Sequence, residues 1–185
     1  GTNTLNAATM SLGAITTGGL LTINNSGAAS QSGVFAGAGG LTKAGGGTLT
    51  QSQVNTYTGL TTLNAGALRI TGSVAGDTTM NGGTLEIGND TALGGGTLTL
   101  QGGRVNASGA DRTLSNPVLL AGNVDFGSGS SFNTIFTGPT TLQGGTRTVT
   151  VGNITQTFSG AIGDGGNAFG LTFAGGGTLV LGGAN

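Results

Sequence analysis

Cysteine and histidine are both missing from this 185-residue chain, and lysine occurs once, at Lys43. Without cysteine there is neither a disulfide framework nor a thiolate metal site. That absence does not place the chain in the cytosol, because a long stacked core needs no staples. Charged residues make up 6% and the net charge is −1, where an ordinary domain carries about a quarter charged residues. The four arginines (Arg69, Arg104, Arg112 and Arg147) are far apart. A phosphate backbone needs a dense basic surface, and aromatics at 4% offer no platform for bases, so nucleic acid is not an expected partner. Two prolines and the lack of a three-residue glycine period exclude collagen. No apolar run approaches the roughly 18 residues of a membrane-spanning helix. The N-terminus lacks the basic stretch and apolar core of a signal peptide, so any export signal is expected to have been removed or to lie outside this segment.

What the chain does have is glycine, 42 residues of it, with 35% apolar residues dispersed among Thr, Ser and Asn. Disorder would require higher charge and lower hydrophobicity than this. Low lysine with high Thr, Asn and Gly points to an exported bacterial surface protein. Helical spacing of apolar residues is missing, whereas alternation recurs in Thr84-Leu85-Glu86-Ile87, Thr97-Leu98-Thr99-Leu100 and Thr178-Leu179-Val180-Leu181. Each run follows a glycine pair, and Gly or Asn usually ends it, as tight corners demand.

One phrase is said twice. Gly40-Leu41-Thr42-Lys43-Ala44-Gly45-Gly46-Gly47-Thr48-Leu49 returns from Gly170 to Leu179 with a single change, Phe173 for Lys43. Its core, Gly-Gly-Thr-Leu, also stands at 82–85 and 95–98. Short units recurring along a whole chain bury their apolar faces against neighbouring copies. The expected fold is therefore all-β: a parallel β-helix, or β-solenoid, with Leu and Val stacked inward and Thr and Asn outward. At roughly 20–25 residues per coil the chain makes about eight coils, rising about 40 Å. A β-sandwich uses similar strands, but the repetition favours the solenoid. Residues 1–185 are expected to form one solenoid segment, with Ser108–Pro117 and Gly160–Gly170 projecting as loops.

Candidate chemistry is sparse. The carboxylates are Asp77, Glu86, Asp90, Asp111, Asp125 and Asp164, and acid–base cleavage of a polysaccharide needs them clustered. Stacking would bring Glu86 nearest Asp111 or Arg104; solvated charges at corners are the plainer reading. Gly163-Asp164-Gly165-Gly166-Asn167 loosely resembles a calcium-binding β-roll, but it occurs once and offers one carboxylate. Thr-x-Thr pairs such as Thr48/Thr50 and Thr97/Thr99 do not recur at one coil length, so β-propensity explains them better than ice binding. The four Asn-x-Ser/Thr sequons (Asn24, Asn89, Asn106 and Asn153) follow from the composition, and Tyr57 reads as a corner packing residue. No catalytic, cofactor-binding or metal-ligating residue, and no small-molecule substrate, is expected.

The run 40–50, then Val54-Asn55-Thr56-Tyr57-Thr58-Gly59, then Thr61-Thr62-Leu63-Asn64-Ala65-Gly66-Ala67-Leu68, closely resembles the autotransporter-associated β-strand repeat, or passenger-associated transport repeat. Copies lie near 40–68 and from 170. The resemblance implies a right-handed parallel β-helix on the bacterial cell surface or outside it, exported with the help of an outer-membrane β-barrel translocator. It carries no catalytic residue. Gly1 to Met10 aligns with Gly59 to Leu68, and Asn185 with Asn55, so three residues would join one unit to the next. The chain is thus expected to be part of a longer array, or a subunit pairing end to end with itself, acting as shaft, spacer or filament. Adhesion through the loops, or support for an enzyme domain elsewhere, are the alternatives.

Overall fold

A computed structural model describes residues 1–128 and 131–184. No helix occurs among them; the strands stack in parallel into a β-solenoid. Two sheets of nine strands run its length, sheet 1 from Asn3–Ala7 to Ile162–Gly163 and sheet 2 from Met10–Leu12 to Leu171–Ala174. The third side is a four-stranded sheet 3 from Arg112–Leu114 to Thr178–Leu181, with only a two-stranded pair and a bridge earlier. Nine strands per sheet make nine coils, one more than the length predicts. The early coils are shorter than expected: Asn3 pairs with Leu21 and Thr61 with Thr78, while Val118 pairs with Thr140.

Inward ranks follow from alternation. Ile23, Lys43, Leu63, Met80, Leu100 and Leu120 succeed one another in sheet 1, and Leu49, Leu68, Leu85, Val105 and Phe126 in sheet 2. All are essentially inaccessible. Each fully buried Leu contributes about 1.5–3 kcal/mol, so stability accumulates coil by coil. Where sheet 3 widens the coil, Phe126, Phe136 and Phe158 fill the added space. On the outside of sheet 1, Thr22, Thr42, Thr62, Thr79 and Thr99 form one rank. The Thr-x-Thr pairs themselves do not stack: Ala67 and Arg69 lie over Thr48 and Thr50.

Glycine at the corner between the third side and sheet 1 has a packing cause. A Cβ on Gly39 would lie 1.9 Å from the carbonyl oxygen of Gly19, and one on Gly59 would lie 2.5 Å from Gly39. The same close approach relates Gly1 to Gly19, Gly76 to Gly96 and Gly160 to Gly183. Asn116 replaces glycine in this rank, and its buried amide donates to the carbonyls of Gly94 and Gly96 at 3.1 and 2.7 Å.

The two copies of the long phrase occupy different sides of the coil. Leu41–Ala44 and Thr48–Gln51 lie in sheets 1 and 2, but Leu171–Ala174 and Thr178–Leu181 lie in sheets 2 and 3. The phrase specifies strand, corner and strand, with Gly45 and its counterpart Gly175 both at positive φ (74° and 98°). It does not specify which corner. The alignment of Gly1 with Gly59 holds, since Asn3 falls in the rank of Thr61. The equivalence of Asn185 with Asn55 lies outside the described residues, and Gly183 already occupies the corner rank of Gly59.

Both expected loops are shorter than predicted. Arg112–Leu114 pairs with Thr134–Phe136 because Leu114 turns inward and is fully buried. Ile162–Gly163 pairs with Thr140 and Thr141, leaving only the turn after it.

Candidate functional site

The charged side chains pair across coils, not where spacing suggested. Arg69 Nε meets Glu86 Oε2 at 2.5 Å on the outer face of sheet 2, and Arg104 meets Asp125 at 3.5 Å. Arg112 lies 4.0 Å from Asp90. Glu86 is therefore committed to Arg69, not to Asp111 or Arg104. Asp111 instead accepts the backbone and side-chain N–H of Asn133, both at 2.9 Å, which holds its carboxyl below the usual range. Asp77 accepts Thr97 N–H at 2.8 Å. Among the described residues no three of Asp, Glu, Cys and His converge in a way that could hold a metal ion.

The glycine-rich stretch after Ile162 closes on itself. Asp164 accepts the N–H groups of Gly166 and Phe169 at 2.8 and 2.7 Å, which lowers its pKa. The amide of Asn167 donates to the Asp164 carbonyl at 2.7 Å. These bonds make the aspartate a turn cap. Three of the four sequon asparagines are likewise engaged: Asn24 donates to Asn6, Asn89 to the carbonyls of Thr71 and Gly72, and Asn106 to Ser128.

Inside the solenoid, residues 31–61 hold an unexpected polar cluster. Lys43 points inward between Ile23 and Leu63, and its ammonium donates to the corner carbonyls of Ala44, Gly45 and Ala65 at 2.5, 2.9 and 3.3 Å. No carboxylate pairs with it among the described residues, and burial lowers its pKa. Asn55 is buried and accepts from Phe35 N–H at 2.9 Å and from the Gln31 amide. Tyr57 is buried as a corner packing residue, with its hydroxyl 2.7 Å from Thr61 Oγ1. Burial raises its pKa; Thr61 and Gln51 partly offset that. The Gln51 amide, close enough to influence the phenol, still makes no well-formed hydrogen bond.

An open cleft of about 380 Å³ lies outside sheet 2, lined by Arg69, Glu86, Asn106, Ser108, Ser128 and Phe132 among others. Sequence reading did not find it, because its residues come together only through coil stacking.

Residues 41–70 match the family described as the passenger-associated-transport-repeat. That stretch is similar to a passenger-associated transport repeat. It begins with the sheet 1 strand Leu41–Ala44 and ends with the sheet 2 strand Ala67–Ile70, so it spans about one and a half coils. The buried polar residues Lys43, Gln51, Asn55 and Tyr57 all fall within it. Comparison with curated proteins and with solved structures finds no match. A passenger repeat within a β-solenoid points to a structural, passenger-type segment of a secreted or cell-surface protein.

Proposed function

We propose that this segment is a shaft or spacer of an extracellular or cell-surface bacterial protein, holding other parts at a fixed distance. The observation that carries this reading is the passenger repeat embedded without interruption in sheets that run through all nine coils. Ladder hydrogen bonds follow the long axis, and inward stacks resist lateral collapse. Nine coils at about 4.8 Å each give a rod of about 40 Å. Neighbouring solenoid units extend it, by covalent continuation or by end-to-end strand pairing, as unpaired sheet edges favour. A β-barrel translocator in the outer membrane would deliver it.

The test is an epitope inserted between Gly165 and Gly166, in the exposed turn, within the native precursor. Antibody labelling of intact cells or of the medium supports the reading. Labelling only after the cells are permeabilised would overturn it.

A further inference from the structure

We propose that the cleft on the outer face of sheet 2 binds a neutral pyranose unit of a glycan. Its floor is the outward rank Arg69, Glu86 and Asn106, contributed by three successive coils, at about 4.8 Å per step. One wall is the turn at Ser108 and Gly109; the other holds Ser128, Ser131 and Phe132. The second wall folds back over the sheet through an antiparallel bridge between Phe132 and Ala107. At about 380 Å³ the space suits one sugar ring and falls in the usual range of about 300–1,000 Å³ for ligand sites.

Charge selects the ligand class. Arg69 and Glu86 neutralise each other at 2.5 Å, and no other lining residue is charged. The cleft therefore favours neither anion nor cation, yet is rich in donors and acceptors. Arg69 bonds Glu86 through Nε, which leaves its terminal amino groups for a ligand. The Asn106 amide donates to Ser128 Oγ at 3.3 Å, tying the floor to the second wall. Phe132 is 41% exposed at the rim, an apolar surface for the C–H face of a sugar. A peptide would seek backbone partners along a sheet edge, whereas here the face of the sheet presents side chains. The inference goes beyond the shaft reading and does not depend on it.

The test is titration of the ¹⁵N-labelled chain with the methyl glycosides of glucose, galactose, mannose and N-acetylglucosamine, followed by amide chemical shifts. For a ligand this small, saturable binding by at least one glycoside is expected, with Kd on the order of a millimolar. Shifts should cluster at Arg69, Asn106, Ser108 and Phe132. Asn106→Ala and Phe132→Ala should each weaken binding by about tenfold, while Thr62→Ala on sheet 1 leaves it unchanged. Arg69→Gln, at an exposed position, serves as a further variant should either of the first two fail to fold, and is expected to weaken binding as well. Absence of saturable shifts with all four glycosides would overturn the proposal. So would shifts remote from the cleft, or displacement by inorganic sulfate, which would mark an anion site.

Discussion

Phe136 and Phe158 stack on consecutive coils, their ring centroids 5.6 Å apart and their planes 18° from parallel. Phe126 meets both edge-on from sheet 2, at 6.0 and 5.8 Å. Large rings stand here because the later coils have a full third side, and the wider interior needs more volume per residue. Phe158→Ala is therefore expected to destabilise the solenoid by about 3–5 kcal/mol, read from chemical denaturation. A loss below about 1 kcal/mol would mean that the ring is not packed as described.

Glycine at the corners is required by approach distance and not only by conformation. Gly39→Ala sets a methyl group against the Gly19 carbonyl, whereas Gly46, one corner away, has nothing within 4 Å of its Cβ and no positive φ. The first change is expected to cost about 1–3 kcal/mol or more, the second well under 1 kcal/mol or nothing. Matched unfolding curves of the two variants test the rank directly; equal losses would remove the argument for it.

The fold was readable because Thr-Leu-x-Leu runs after glycine pairs leave few options other than short stacked strands. Coil number was less readable. A coil closes when its inward rank falls into register, and its length ranges from 17 residues (Thr61 to Thr78) to 25 (Val124 to Val149) without a change in strand pattern. The duplicated phrase misled on phase for the same reason: Gly45 and Gly175 make alike turns at different corners. The cleft was not legible at all. Arg69 and Phe132 are remote in sequence, and the short coil that brings Arg69 onto Glu86 is invisible before the stack is built.

Acid should weaken the turn after Ile162 in a defined direction. Backbone N–H groups hold the Asp164 pKa below its ordinary value, so its contribution is present above the unfolded value near 3.9 and fades as pH falls through the folded one. Asp164→Asn is expected to lower the unfolding midpoint slightly at pH 7 and to match the parent at low pH, where both are uncharged. A deficit that persists unchanged in acid would mean that charge plays no part.

Lys43 gives the opposite end of the pH scale its slope. Its ammonium is bonded only to carbonyls, and burial lowers its pKa from 10.5. Between the folded and unfolded values the unfolded chain binds more protons, so stability rises with pH. Tyr57 opposes this above 10.0: its raised pKa keeps a proton in the folded state that the unfolded chain has already lost, and stability then falls. The urea midpoint should accordingly climb as pH approaches 10 and turn over beyond it. Lys43→Met keeps an apolar stem between Ile23 and Leu63 and removes the titrating group, so its profile should be flat over the climbing limb. A parent profile that is flat or falling below pH 10, or a Met variant that climbs as steeply, would show that the ammonium is not desolvated inside the passenger repeat.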